Sequence, residues 1–151
     1  MNVKKEAARK ARVFLLLLAA FIFAFATGAE AERQRFGDFE IYVPEDWTVQ
    51  SAGVQTTFMA PGNVAALSII IDTATGTSVE EVARVHSEAH YGTTPEEVGE
   101  GTFVFTFQNE NGIETSVIVV GLGDSDDYMI WVTAGEHPQL GYLIESFEFV
   151  E

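Results

Sequence analysis

A hairpin signature in the second half of the chain limits the possible folds more than any other feature of the sequence. Residues 102–108 alternate, so that every second side chain lies on one face, and residues 113–121 form a second apolar segment. Between them, Asn111-Gly112 is a pair that adopts positive φ at low cost and closes tight hairpins. One face of the first segment carries three phenylalanines, Phe103, Phe105 and Phe107. A stripe of that size has to be buried, so the sequence predicts an antiparallel sheet with a covered face.

Other segments have the same character, and turn residues separate them. Alternating or β-branched apolar residues predict strands at 36–43, 54–59, 65–71 and 128–134. Pro44-Glu45-Asp46-Trp47 ends the first of these strands in a turn. Together with the hairpin, the segments predict about six strands, the last three of which follow one another as an antiparallel meander.

Two segments of the sequence have the pattern of α-helices. Ser78 precedes an amphipathic segment and has Glu81 three residues later, the arrangement that satisfies free amide groups at a helix start, and Gly92 supplies a stop. Near the carboxyl end, apolar residues recur at helical spacing from Leu140 to Phe147, which predicts a short helix that runs into a few extended residues. We therefore expect an α+β domain with a central antiparallel sheet of about six strands flanked by helices, the second helix lying on the face opposite the first.

The first 31 residues have the features of a cleavable secretory signal peptide. Five basic residues precede a continuous apolar run from Val13 to Ala26, which at 14 residues is shorter than the roughly 20 needed to span a membrane. Ala29-Glu30-Ala31 supplies small side chains at the positions that a signal peptidase reads. We expect cleavage after Ala31, a periplasmic or secreted location, a single domain at 32–151, and no stable membrane insertion after cleavage. An uncleaved amino-terminal anchor is the alternative.

Such processing would concentrate an already acidic charge. The full chain carries −15, and residues 32–151 carry 21 acids against three arginines and no lysine, which gives −18. An acidic surface repels phosphate backbones and anionic headgroups, so no nucleic acid is expected as a partner. The absence of cysteine excludes disulfides, thiolate metal sites and cysteine nucleophiles, and the absence of lysine excludes Schiff-base chemistry in the processed chain.

The string Phe39-Glu40-Ile41-Tyr42-Val43-Pro44-Glu45-Asp46-Trp47 resembles the opening of the PsbP-like superfamily, in which a first strand runs into a proline and then a tryptophan. A helix begun by Ser78-Val79-Glu80-Glu81, a three-stranded meander and a closing Leu143-Ile144-Glu145-Ser146-Phe147 extend the resemblance over residues 36–150. The resemblance implies a PsbP-like α/β/α sandwich. Members range from an extrinsic photosystem subunit to a Ran-binding nucleotide-release factor and exported bacterial proteins of unknown role, and they are mostly non-enzymatic. No feature of this sequence maps onto the photosynthetic or Ran-binding activities, and fold alone does not carry them.

His86 and His90 form the first candidate metal site. They lie four residues apart on the predicted helix, one turn apart on one face, a spacing that can chelate a divalent transition metal. Both also continue the core-facing stripe of that helix, so packed, hydrogen-bonded histidines are the competing interpretation. His137 would be a third ligand only if the fold brings it to the pair.

Asp124, Asp126 and Asp127 form the second candidate metal site. They lie within four residues in a turn and offer hard oxygen ligands for calcium, but the glycine and the distal glutamate of a helix–loop–helix calcium loop are absent. A solvated hairpin turn is the competing interpretation. The same segment lacks the third glycine of a dinucleotide loop and the glycine that a nucleophile elbow around Ser125 needs, which excludes both motifs.

Trp47, Trp131 and Tyr42 are the candidates for a ligand or partner pocket, because aromatic side chains with a polar group often line binding sites. Burial in the core is the competing interpretation for both tryptophans. Acid pairs such as Glu80-Glu81 and Glu96-Glu97 indicate solvated faces rather than an acid–base pair, since adjacent side chains on a helix point apart.

The sequence therefore predicts a small exported, non-catalytic protein that binds another protein or a small ligand and needs no cofactor. A divalent-cation-binding protein, using calcium in the acidic loop or a transition metal at the histidine pair, is the alternative. A hydrolase with paired carboxylates is the third interpretation, and it requires a concave pocket with two facing carboxylates.

Overall fold

The computed structural model describes residues 31–123 and 125–150. Within these residues the chain forms ten strands, two α-helices and a 3₁₀ turn at Pro61–Asn63. The strands are β1 (Ala31–Phe36), β2 (Phe39–Pro44), β3 (Thr48–Ala52), β4 (Gln55–Met59), β5 (Ala65–Thr73), β6 (Glu96–Gly99), β7 (Thr102–Gln108), β8 (Glu114–Gly121), β9 (Asp127–Gly135) and β10 (Glu148–Phe149). The helices are α1 (Val79–Ala89) and α2 (Leu140–Glu145), and neither is long and apolar enough to cross a membrane. The predicted signal peptide, apart from Ala31, lies outside the described residues.

The strands pair antiparallel and form two sheets. The larger sheet has seven strands in the order β3-β4-β5-β9-β8-β7-β6, and the smaller sheet has the order β1-β2-β10. The predicted hairpin is β7–β8, in which Gln108 pairs with Glu114 and Gly112 has a φ of 72°. The α+β class and the antiparallel meander are confirmed.

The strand count exceeds the predicted six for a physical reason. The six predicted segments correspond to β2, β4, β5, β7, β8 and β9, which have a neighbouring strand on both sides. The three strands that the sequence did not resolve, β1, β3 and β6, lie at the edges of the two sheets, and so does β10, the short extended segment expected after the second helix. Edge strands carry polar side chains that discourage pairing with other chains. For that reason β3 (Thr-Val-Gln-Ser-Ala) and β6 (Glu-Glu-Val-Gly) show almost no apolar alternation.

Helix α1 covers one face of the larger sheet. Its buried residues Val82 and Ala83 pack against side chains of β7, β8 and β9. The predicted phenylalanine stripe lies in this layer, where Phe103 and Phe105 are buried and Phe107 is half-buried.

The smaller sheet and α2 together cover the opposite face of the larger sheet. Ile118 and Trp131 point away from α1 into a second core, which includes Ile41 of β2 and Leu143 of α2. The second helix therefore lies on the predicted face, but the expected α/β/α sandwich fits only roughly, because a sheet shares this layer. A helix of six residues spans about 9 Å, or about two strand spacings, and cannot cover seven strands alone.

The ends of α1 lie where the sequence predicts them, with one difference at the carboxyl end. The amide of Glu81 donates a hydrogen bond to Oγ of Ser78 at 3.2 Å, which confirms the predicted start. After the helix, the residue in the left-handed conformation is Tyr91, with a φ of 54°, rather than Gly92. A Cβ on Gly92 would lie 3.0 Å from the carbonyl oxygen of Thr106. A side chain at position 92 would crowd these neighbours, so the close approach favours glycine there, and the tyrosine before it adopts the turn conformation.

Candidate functional site

A cleft of about 600 Å³ opens where β1 begins and β2 ends. Its walls come from these two strands and from the turn that follows β2. The lining residues are Ala31, Glu32, Gln34, Val43, Pro44, Glu45 and Trp47. One of the two tryptophans singled out by the sequence therefore borders a cavity large enough for a small ligand or a side chain of a partner.

Several contacts fix Trp47 in the floor of this cleft. Its amide donates to the carbonyl oxygen of Pro44 at 3.0 Å and closes the turn after β2. Its indole Nε1 donates to Oε1 of Gln139 at 3.2 Å, and its ring meets that of His137 edge-on, with 5.2 Å between the ring centroids. Only 6% of Trp47 is exposed. Residues that precede α2 thus hold the indole in place, and a small part of its ring remains open to the cleft.

The polar part of the lining is acidic. Glu32 and Glu45 are exposed, Gln34 adds an amide, and the described lining residues include no basic side chain. Alternate residues of a strand point to the same side, so Glu32 and Gln34 share the face of β1 that borders the cleft. The rest of the lining is apolar. A cation with a short apolar stem has the chemistry that matches this surface.

Tyr42 lies on the other face of the smaller sheet and does not border the cleft. The guanidinium of Arg33 lies 4.9 Å from the centre of its ring, and the ring of Tyr142 is 6.1 Å away. Arg33 is also paired with Glu40 at 3.0 Å and Glu148 at 2.5 Å, and the hydrogen bond to Glu148 is the main cause of its raised pKa. Tyr42 therefore belongs to an aromatic and charged surface that is separate from the Trp47 cleft.

Trp131 is a core residue and does not border the cleft. It is completely buried between the two sheets, and the ring of Phe147 meets it at 4.9 Å between centroids. Its indole Nε1 has no hydrogen-bond partner among the residues that the structure describes. A ligand could reach this side chain only if the core opened.

The structure brings His86 and His90 close together near the carboxyl end of α1. Burial, and after it the charge of His90, lowers the pKa of His86 below its ordinary value. The ring of His90 stacks on that of Phe107 with 4.6 Å between centroids. His137 packs on Trp47 instead of joining the pair. Within residues 31–123 and 125–150 there is no group of three or more side chains arranged to hold a metal ion.

The acidic turn that leads into β9 is hydrogen-bonded to neighbouring residues. The carboxylate of Asp127 accepts hydrogen bonds from Oγ1 of Thr73 at 2.8 Å and from Oγ of Ser125 at 3.1 Å. Asp126 is exposed, and its carbonyl oxygen accepts from the amide of Ala74. Asp124, the first of the three predicted calcium ligands, lies outside the described residues.

Sequence reasoning did not identify Glu32, Gln34 or Gln139. The first two lie in an edge strand next to the predicted cleavage site, where no apolar alternation marks them. Gln139 is 92 positions from Trp47, and no local pattern links a glutamine to a tryptophan at that separation. The proline–tryptophan turn was the one signal in the sequence that pointed to the cleft.

The architecture is shared with a protein of known structure. The crystal structure of the Ran-binding protein Mog1p from Saccharomyces cerevisiae matches with a TM-score of 0.51 at 10% identity, over 82% of this chain and 97% of that chain. This chain has a PsbP-like fold. The resemblance noted in the opening strand, the first helix and the closing segment is therefore confirmed at the level of fold.

Other comparisons give weaker matches. Cyanobacterial PsbP (CyanoP) from Synechocystis sp. PCC 6803 matches with a TM-score of 0.47 at 13% identity, over 87% of this chain and 99% of that chain. A protein from Bacteroides thetaiotaomicron matches with a TM-score of 0.41 at 16% identity, over 75% of this chain and 45% of that chain. No family model and no curated protein matches the sequence. The PsbP-like likeness establishes the fold alone, so the roles of residues have to be argued from this chain's own cleft.

Proposed function

We propose that the protein is a non-catalytic binding module whose partner or ligand occupies the Trp47 cleft. The cleft itself carries the proposal, since about 600 Å³ of space lies beside a fixed tryptophan and two exposed carboxylates. The PsbP-like fold supports it, because Mog1p has the same fold and is a Ran-binding protein. Ran is not proposed as the partner here, since the likeness extends only to the fold.

The lining of the cleft favours binding over hydrolysis by paired carboxylates. Glu32 and Glu45 are both exposed to water, whereas the acid of a catalytic pair is shielded so that it stays protonated near neutral pH. The described lining residues include no histidine, serine or lysine that could act as a nucleophile or base. Binding without turnover is the function that such a surface performs best.

Export is part of the same proposal. The basic segment, the apolar run and Ala29-Glu30-Ala31 support cleavage after Ala31 and a single exported domain at 32–151. Cleavage there would make Glu32 the first residue, at the cleft, and would leave the rest of β1 paired with β2. The mass of the protein recovered from an exporting bacterial host measures the cleavage position. A chain that retains residues 1–31 would refute this part of the proposal.

Affinity capture with matched charge variants tests the binding site. Glu45→Arg reverses a charge in the cleft, and Glu110→Arg makes the same change at an exposed turn outside its lining. We expect the wild type and Glu110→Arg to retain a partner from periplasmic extract, and Glu45→Arg to lose it. Equal recovery by all three proteins would refute the cleft as the site. Recovery of no partner, combined with measurable turnover on a panel of hydrolase substrates, would refute a binding module.

A divalent-cation-binding protein is the second candidate, and the proximity of His86 and His90 favours it. The lowered pKa of His86 keeps its imidazole neutral, and so able to bind a metal, at neutral pH. Calorimetry with zinc, copper and calcium distinguishes binding at the histidine pair, binding at the acidic turn and no metal binding. Zinc or copper heats that His90→Ala abolishes would support the histidine pair, and calcium heats would point to the acidic turn at 124–127. Heats equal to dilution for all three metals would eliminate this candidate.

A further inference from the structure

β1 is an edge strand whose outer side carries no partner strand in the described structure. β2 pairs with one side of it, and the order β1-β2-β10 leaves the other side open. The backbone amide and carbonyl groups along an open edge can pair with an extended segment of another chain, which then becomes an additional strand.

The Trp47 cleft lies directly beside this open edge. Glu32 and Gln34 are residues of β1, and both line the cleft. A strand added next to β1 would place every second side chain on the same face as Glu32 and Gln34, and thus at the mouth of the cleft. The backbone edge and the cavity therefore form one continuous site.

We propose that β1 accepts an extended segment of a partner protein as an additional strand, and that a lysine or arginine side chain of this segment enters the Trp47 cleft. This inference rests on the proposed function, and it specifies the class of partner. Glu32 and Glu45 provide the opposite charge, and their two carboxylates outnumber the one amino group that cleavage after Ala31 would create at Glu32. The apolar floor receives the methylene stem of the basic side chain. The alternate side chains of the segment face Arg33 and Arg35 on the other side of β1, so acidic residues fit there.

Arg35 strengthens the requirement for an acid on that second face. It is exposed, and its Nε donates only a long hydrogen bond of 3.3 Å to the carbonyl oxygen of Gly37. Arg33, by contrast, already has carboxylates in Glu40 and Glu148. The matching segment consequently alternates basic and acidic residues.

A second copy of this chain does not meet that requirement at β1. If two copies of β1 paired antiparallel, residues opposite each other would lie on the same face of the joined sheet, and the two-fold axis would pass through residue 32, 33, 34 or 35. Each of these four registers brings like charges together. Such registers place Glu32 opposite Glu32, or an arginine at 33 or 35 opposite another arginine. Like charges directly opposite each other destabilise a pair of strands. The alternating charges of β1 therefore disfavour antiparallel pairing with β1 of a second copy and favour a segment of different sequence.

A short dye-labelled peptide of alternating lysine and aspartate tests the proposal by fluorescence anisotropy on the protein recovered from an exporting host. A peptide of the same composition, with all its lysines before all its aspartates, controls for non-directional charge attraction. We expect the alternating peptide to bind about tenfold more tightly than the block peptide. Replacing both Glu32 and Glu45 by glutamine should remove that preference, and Glu110→Gln should leave it unchanged.

Backbone methylation gives a readout that charge alone does not affect. In an added strand, alternate amide groups point towards β1 and the others point to solvent. N-methylation of one alternate set of peptide amides should therefore abolish binding, while methylation of the other set should be tolerated. Equal affinity of the alternating, block and both methylated peptides would overturn strand addition. If the alternating peptide does not bind while Glu45→Arg still abolishes partner capture, strand addition is wrong and the cleft proposal stands. If partner capture is also insensitive to Glu45→Arg, both proposals are wrong.

Discussion

Replacement of Gln139 by alanine tests whether the segment before α2 holds the floor of the cleft. Trp47 is only 6% exposed, so its indole N–H would stay shielded from water after losing the Gln139 acceptor. A buried donor without a partner costs about 1–3 kcal/mol. The native bond is 3.2 Å long, towards the weak end of the range, so we expect the free energy of unfolding to fall by about 1.5 kcal/mol.

A double-mutant cycle with Trp47→Phe isolates this interaction. Trp47→Phe alone loses packed atoms and should cost about 1–2 kcal/mol. Because phenylalanine has no N–H to leave unpaired, Gln139→Ala should cost only about 0.5 kcal/mol in that background. The coupling of about 1 kcal/mol is measured by urea unfolding followed by circular dichroism.

Trp131→Phe is the matched control for the cycle. The indole Nε1 of Trp131 has no partner among the described residues, so Gln139→Ala should cost the same in this background as in the wild type. Additive effects of Trp47→Phe and Gln139→Ala, within about 0.3 kcal/mol, would show that Gln139 does not fix the indole.

The remaining predictions concern the backbone and the pH dependence of stability. Gly135→Ala should cost about 3 kcal/mol in urea unfolding, because a Cβ there would lie 2.0 Å from the carbonyl oxygen of Val64 at a φ of 70°. Gly101→Ala, at a φ of 63° with open space around it, should cost only about 1 kcal/mol, and equal costs would contradict the close packing of Gly135 on β5. Tyr91→Gly should raise stability by about 0.5–1 kcal/mol, since Tyr91 is 96% exposed and sits at a φ of 54°; a lower melting temperature would show that its side chain makes contacts that matter. The lowered pKa of His86 means that the unfolded chain takes up a proton more readily than the folded chain. Stability should therefore fall as the pH drops below about 6.5, and His86→Gln should reduce that slope; an unchanged slope would contradict the assigned effect of burial.

Local patterns revealed the interior of the fold but not its edges. Val117 to Val120 are buried on alternate faces of β8. A strand that is buried on both faces carries apolar residues at successive positions, and a single sequence is enough to recognise that pattern. β1, with the sequence Ala-Glu-Arg-Gln-Arg-Phe, contributes mostly polar side chains and is identified only by its pairing with β2. The smaller sheet was missed for the same reason, since two of its three strands are edges.

The candidate site also contains one part that local sequence patterns indicate and another that depends on long-range contacts. The Pro44–Trp47 turn is local, and it drew attention to Trp47, which borders the cleft. Tyr42 lies within β2, just before this turn, but the alternation of side chains places it on the outer face beside Arg33. Gln139 joins the site through a contact across 92 positions, which depends on how α2 packs against β2. Contacts of that kind become visible only when the tertiary structure is known.

The two indole N–H groups report directly on whether the Trp47 cleft binds a ligand. Titration with butylammonium, a small cation with an apolar stem, can be followed in the ¹⁵N–¹H correlation spectrum, where the chain's two tryptophans give separate side-chain signals. If the cleft is the binding site, the Trp47 signal should shift to saturation while the buried Trp131 signal stays in place, and the shift should be lost when Glu32 and Glu45 are both changed to glutamine. A Trp47 signal that does not move, or one that shifts equally in the double variant, would contradict binding in the cleft.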